Sequence, residues 1–169
     1  MEALFITRED IVRYTVLGGN VDVDKFIYSI KTAQDLHIQK YLGGKLYKKF
    51  QSLIITNDID LPANADYKTL LETYLKPMTI QYSIVEYLPF ARYTLGNKGL
   101  FIHTSENGET ATNEDVNMLI EKSRDLAQHY TQRFIDYMCF YSHLYPEYNQ
   151  SSNEDMYPTQ KNNFNGWQI

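Results

Sequence analysis

Residues 112–144 read TNEDVNMLIEKSRDLAQHYTQRFIDYMCFYSHL, and this stretch predicts one long amphipathic helix. Thr112 with Asp115 three residues later resembles a capping box, a typical helix start. Apolar and small side chains then recur every three or four residues, which places them on one helical face. Its members are Val116, Leu119, Ile120, Ser123, Leu126, Ala127, Tyr130, Phe134, Tyr137, Met138, Tyr141 and Leu144. Pro146 ends the pattern, so we expect a helix of about thirty residues, roughly 45 Å long.

Two Gly-Gly pairs divide the N-terminal part of the chain into shorter helices. Thr7 is a typical N-cap, and Gly18-Gly19 predicts that the first helix ends just before it. A second helix is expected from Asp22 or Asp24 to the sequence Leu42-Gly43-Gly44, with one apolar stripe of period 3.6. That stripe consists of Phe26, Ile27, Ile30, Ala33, His37, Ile38 and Tyr41.

Two prolines shape the helices that follow. A third helix is expected over 45–55 and a fourth from about residue 64, which Pro77 should end. The fifth helix, about 78–94, is apolar nearly all round and should therefore lie at the centre of the protein. Pro89 predicts a kink in it, because a proline cannot donate a hydrogen bond to the carbonyl four residues back.

A β-hairpin is predicted between the fifth helix and the long one, over about 97–111. Asn107-Gly108 is the two-residue turn typical of tight hairpins. A two-stranded ribbon is marginal alone, and its edges favour pairing with another chain. We therefore expect Leu100, Phe101 and Ile102 to contact a partner.

Residues 147–169 are polar and without period, and they are interpreted as an extended C-terminal arm. Yet the arm carries large apolar side chains, among them Met156, Tyr157, Phe164, Trp167 and Ile169. A merely disordered tail is usually poor in aromatic residues. Docking of the arm on another surface is therefore the favoured interpretation, with inert disorder as the alternative. The predicted fold is a mainly α helical bundle over 1–146, with the hairpin as an insertion.

Composition and charge exclude several classes of protein. The net charge is −5, with 16 basic and 21 acidic residues and no basic cluster, which argues against sequence-independent DNA binding. The single Cys139 excludes an internal disulfide and a Cys-based zinc site. No signal peptide and no membrane span are expected, because charged residues interrupt the most apolar stretch.

The sequence predicts no catalytic residue, no metal site and no cofactor, and hence no enzyme. His37 is interpreted as a hydrogen-bonded core histidine, Glu86 as a carboxylate paired with a partner, and Cys139 as a packed thiol. Tyr130, Tyr137 and Tyr141 are assigned to the core or to an interface. A platform on which bases stack would require basic residues nearby.

Twelve short motifs are spread along nearly the whole chain, and their order is characteristic. They are LFIT (4–7), IVRYT (11–15), GNVDVD (19–24), AQ (33–34), YLGGKLY (41–47), DYKTLLE (66–72), KP (76–77), VEYLPF (85–90), IDY (135–137), YPEYN (145–149), EDMYP (154–158) and FNGWQI (164–169). The series resembles the small helical neck proteins of crAss-like and related bacteriophages of Bacteroidota hosts. These are the head–tail connector, or ring, proteins that stack below the portal.

The resemblance implies a structural virion protein of the phage neck. It implies a ring of twelve copies that joins the portal to the tail and lets the genome pass transiently and without specific binding. The implied partners are the chain itself, the portal protein and other neck or tail ring proteins. The implied location is the virion neck, with the host cytoplasm during assembly. The alternative is a helical scaffold or adaptor that binds a single protein partner and forms no ring.

Overall fold

The structure is a computed structural model that describes residues 2–15, 23–91, 93–96, 99–102, 112–149 and 156–161. Its helices are α1 (Arg8–Tyr14), α2 (Val23–Ala33), α3 (Gln39–Ile55), α4 (Ala65–Leu70), α5 (Lys76–Tyr87), α6 (Asn113–Tyr141) and α7 (Pro146–Asn149). Two π-helical turns, Gln34–Ile38 and Leu71–Leu75, join α2 to α3 and α4 to α5. The predicted mainly α fold is confirmed.

Two helices begin at the N-caps that the sequence predicts, and both caps are reciprocal. The Thr7 N–H donates to Asp10 Oδ2 at 2.9 Å, and the Asp10 N–H donates to Thr7 Oγ1 at 3.3 Å. Thr112 and Asp115 form the same pair of bonds at 2.9 and 3.2 Å at the start of α6. Each cap satisfies backbone donors that a helix N-terminus leaves unpaired. Asp therefore serves in the capping position where Glu is more usual.

Helix α5 lies at the centre of the protein, packed between α2 and α6, as predicted. Its buried residues occupy several faces, since they include Met78, Thr79, Ile80, Tyr82, Ser83, Ile84 and Val85. The larger core cluster includes Phe50 of α3, Met78 of α5 and Phe134 of α6. A smaller cluster joins Ile6 and Phe26 to Ile80 and Ile84 on the other side of α5.

The π turn at Gln34–Ile38 alters the stripe predicted for the second helix. Most of the predicted members are buried, namely Phe26, Ile30, Ala33, Ile38 and Tyr41. Ile27 is exposed, contrary to the prediction. The Gln39 N–H donates to Gln34 O, five residues back, so the turn inserts one extra residue into the helix. Because of this extra residue, the buried positions Ile38 and Tyr41 do not continue the uniform 3.6-residue period of the helix before them.

Pro77 does not end the helix before it, and that prediction was wrong. The chain stays helical from α4 through the π turn at Leu71–Leu75 into α5. Here the Lys76 N–H donates to Leu71 O, five residues back. The wider turn relieves the clash that a proline ring makes with the carbonyl four residues earlier. The kink predicted at Pro89 inside a helix over 78–94 is instead the end of that helix, since α5 ends at Tyr87 and passes into a 3₁₀ turn at Leu88–Phe90.

The strands that the structure describes pair across an earlier turn than the predicted one. Strands β1 (Tyr93–Gly96) and β2 (Gly99–Ile102) pair antiparallel, with Gly96 opposite Gly99. Leu100–Ile102, predicted as the first strand, therefore form the second. Two residues separate the strands, and glycines flank them on both sides, which allows the close approach of a tight connection. Asn107-Gly108 lies outside the described residues.

Two buried glutamines hold the N-terminal segment against the bundle. Gln34 Oε1 accepts the Phe5 N–H at 2.7 Å, and Gln34 Nε2 donates to Ala3 O at 3.2 Å. Gln51 Nε2 donates to the same carbonyl at 2.9 Å. These side chains supply the hydrogen bonds that a neighbouring strand would otherwise supply to the backbone of an extended segment.

We predict that Gln34→Leu destabilises the protein by about 1–3 kcal/mol, because the buried Phe5 N–H would lose its acceptor. Gln132→Leu, at an exposed position of α6, is the matched control and should change stability by less than about 0.5 kcal/mol. Urea unfolding at equilibrium measures both. Equal midpoints for the two variants would show that Gln34 does not anchor the N-terminal segment.

Buried tyrosines predict a loss of stability at alkaline pH. Burial raises the pKa of Tyr41 to about 12 and that of Tyr148 to about 12, from an ordinary value of 10.0. Burial also raises the pKa of Tyr47 and Tyr82. The folded state therefore holds these protons more tightly than the unfolded state.

The stability that they contribute is fully present below pH 10.0 and is lost as the pH rises toward 12. We expect the urea midpoint to fall across that window together with the appearance of phenolate absorbance. A midpoint that stays constant through pH 12 would contradict the assignment of these tyrosines to the core.

Candidate interaction surface

Helix α6 has two apolar stripes where the sequence suggests one face. The core stripe includes Ala127, Thr131, Phe134, Ile135 and Met138, all buried. The second stripe includes Leu119, Leu126, Tyr130, Tyr137 and Tyr141, which follow one another at intervals of seven and four residues. That spacing keeps one face of a helix. Within it Leu119, Leu126 and Tyr141 are exposed, and Tyr130 and Tyr137 are partly buried.

The C-terminal half of this second stripe forms a continuous aromatic surface. We define the aromatic surface as Tyr74, Tyr130, Arg133, Tyr137, Phe140 and Tyr141. The Tyr137 ring stacks on Tyr74 at 4.3 Å and on Tyr141 at 4.8 Å between ring centroids. The Arg133 guanidinium lies 5.7 Å from the Tyr74 ring centroid and 5.9 Å from that of Tyr130, within cation–π range.

The aromatic surface is held in place from below by hydrogen bonds. The Tyr137 hydroxyl lies 2.9 Å from the Tyr145 hydroxyl. Tyr145 is fully buried and donates to Asp66 O at 3.0 Å. An edge-on contact with Tyr67 packs the Tyr145 ring further. The Tyr137 ring, on which Tyr74 and Tyr141 stack, is therefore held in place before any partner binds, which lowers the entropy cost of binding.

The composition of the aromatic surface is typical of binding hot spots. Tyrosine, phenylalanine and arginine are enriched at the centres of protein interfaces. Phe140 is 76% exposed and lies beside the stacked tyrosines, in a shallow depression that Tyr74, Arg133 and Asp136 also line. A phenylalanine so exposed contributes little to the fold, so the surface is suited to contact another protein.

The N-terminal half of α6 also has few contacts with the bundle. In the range 113–126 of the described structure every residue is exposed or only partly buried. Met118 and Leu119 are both exposed. The predicted core positions Val116 and Ile120 are only partly buried, beside the end of α5. About 20 Å of helix therefore extends along the edge of the bundle with apolar side chains uncovered.

His37 and Glu86 contact each other, although their spacing in the sequence does not indicate it. His37 Nε2 lies 2.8 Å from Glu86 Oε1, and each side chain is 26% exposed. The His37 ring stacks on Tyr82 at 4.1 Å. The Tyr82 hydroxyl bonds Thr131 Oγ1 of α6 at 3.2 Å. This chain of contacts links the first π turn, α5 and α6, and it gives both His37 and Glu86 a structural role.

The structure separates the predicted interface residues into three groups. Strand β2 contains Leu100, Phe101 and Ile102. For these three residues the structure describes the backbone only. Met156 and Tyr157 have half-exposed side chains, while their backbone runs along α3 of the same chain. Phe164, Trp167 and Ile169 lie outside the described residues.

Cys139 is exposed, so its prediction as a packed thiol was wrong. Its neighbour Met138 is buried, and one residue along a helix turns the side chain by about 100°, away from the core. The sequence analysis also missed Tyr74, Arg133 and Phe140. Phe140 lies beside the second stripe of α6, and the apolar pattern of the sequence does not separate that stripe from the core stripe.

The described residues contain neither a cluster of metal ligands nor a membrane-spanning helix. No three His, Cys, Asp or Glu side chains gather there as a metal site. Across the same parts of the chain, no helix combines the length and the apolar character that a membrane crossing needs.

Comparison with known proteins gives a match to a protein family. Residues 38–157 match the family DUF6712, which is described as a family of unknown function. No curated protein and no solved structure matches the chain. The matched range is more than half of the chain and includes α3, α5, α6 and the aromatic surface. The chain therefore belongs to the DUF6712 family.

Proposed function

We propose that this protein is a structural virion protein of a phage neck, which forms an oligomeric ring between the portal and the tail through which DNA passes. The observation that carries the proposal is the aromatic surface on α6, on a flank of the helix beside the core stripe. A helix apolar on two sides needs two partners. The bundle supplies one of them, and we propose that a neighbouring subunit supplies the other.

The energetics favour repeated contacts of this kind. Burying an aromatic side chain such as Phe140 contributes on the order of 2 kcal/mol. In a closed ring each subunit makes this contact twice, once with each neighbour, so that a moderate pairwise affinity accumulates. The exposed N-terminal half of α6 offers further apolar area for the same purpose. The paired strands and the C-terminal arm are proposed as contacts to the portal or to the adjacent ring.

The charge of the chain suits a channel that does not retain DNA. The net charge of −5 repels phosphate, whereas a row of Lys or Arg would bind the duplex. In this proposal the protein has no catalytic role and needs no cofactor.

Electron microscopy of the protein mixed with the portal of the same phage tests the proposal. A neck component gives end-on views of a ring on the portal. A complex with a single copy bound to one partner would instead favour the alternative, a helical adaptor. Absence of any complex with the portal would contradict the neck assignment.

A further inference from the structure

Residues 156–159 of the C-terminal arm dock into a break in helix α3. Gly43 has φ 74° and ψ 161°, which interrupts the helix between Lys40 and Gly44. In an unbroken α-helix the Gly44 N–H would donate to Lys40 O. Here the Gly44 N–H donates to Met156 O at 2.8 Å, and Lys40 O accepts the Thr159 N–H at 2.9 Å. The docking segment thus takes up both members of this interrupted donor–acceptor pair.

The break is shaped for this segment. Pro158 is buried against Gly43, and a Cβ atom on residue 43 would lie 2.7 Å from Pro158 Cδ. Only glycine allows both the backbone conformation and the close approach. The two hydrogen bonds involve main-chain atoms alone, as when an extended segment adds to a sheet edge. The site therefore recognises an extended backbone with a proline at its centre.

We infer that this break is an exchange site, at which residues 156–159 of one copy bind the break of a second copy. The contact is local, and it leaves the side chains of Met156 and Tyr157 about half exposed. Residues 150–155 connect it to α7, and six residues span at most roughly 20 Å, enough to reach an adjacent subunit. Exchange replaces each contact by an identical one, so it costs little free energy. The inference does not require a ring.

Two full-length chains, each with one cysteine in a Cys139→Ser background, test the exchange. One carries Lys40→Cys at the break and the other carries Thr159→Cys on the segment, with affinity tags that differ. A short flexible bismaleimide joins cysteines that come close. Neither chain can form this bridge within itself, so a product carrying both tags joins two chains, either by exchange or by random collision. A chain with both cysteines confirms that the reagent spans the site.

Exchange predicts that the two-tag product exceeds the products of like chains. Blocking the break with Gly43→Ala in the first chain should reduce the two-tag product to the level of random collision. Pro158→Glu in the second chain should have the same effect without touching the fold of the first. A two-tag product no more abundant than random collision gives, or one unchanged by Pro158→Glu, would overturn the inference. Rings that form without this product would leave the proposed function intact and assign the segment to its own chain.

Discussion

Phe140→Asp is expected to abolish self-assembly and to leave the isolated chain as stable as before. The Phe140 side chain is 76% exposed, so its replacement should change the free energy of unfolding by less than about 0.5 kcal/mol. In an interface the same change removes an aromatic anchor and would bury a carboxylate without a partner. Loss of such a hot spot costs at least about 2 kcal/mol per contact. Because a ring needs every contact, assembly should fail completely.

The matched control is Tyr28→Asp on α2, where the aromatic side chain is 69% exposed and lies outside the aromatic surface. It should retain assembly. Mass photometry in the presence of the portal measures the assembly of both variants, and thermal unfolding measures their stability. Equal loss of assembly in both would show that the effect is not specific to the aromatic surface. A large fall in melting temperature for Phe140→Asp would place Phe140 in the core.

Gly43→Ala should have the largest effect of any single methyl group added to α3. The conformation of Gly43, φ 74° and ψ 161°, lies in a region nearly restricted to glycine. A side chain there costs on the order of 1–3 kcal/mol. The new Cβ would also lie 2.7 Å from Pro158 Cδ and displace the docking segment. For a protein of this size we expect the melting temperature to fall by roughly 2–12 °C.

Two variants separate the causes of this loss. Gly44→Ala changes the neighbouring residue, whose φ is not positive, and should cost less. Pro158→Gly removes the proline ring and so relieves the contact but not the backbone strain. The double variant Gly43→Ala/Pro158→Gly should therefore keep the strain while losing the clash. If Gly43→Ala unfolds at the temperature of the unmodified protein, the helix break is not a strained feature.

The sequence predicts the local features of this fold well. Thr7 and Thr112 are correctly identified as helix caps because their partners lie three residues away. The helix break at Gly43 follows from the conformational freedom of glycine. The apolar character of α5 on nearly all faces correctly indicates its central position.

Features that depend on distant parts of the chain are not readable in the same way. The π turn before Pro77 depends on how the flanking helices α4 and α5 pack. The pairing of His37 with Glu86 joins residues 49 apart in the sequence. The aromatic surface escapes a periodicity argument because both stripes of α6 are apolar. Only packing decides that Phe134 faces the core and Phe140 faces outward.

Quantitative mass spectrometry of purified virions tests the central claim most directly. If the protein is a ring of the neck, its peptides should be present in intact virions at a copy number equal to that of the portal protein. They should also remain after extensive washing and nuclease treatment. Virions that contain the portal protein but lack this protein, with the protein found only in infected cells, would contradict its assignment to the neck.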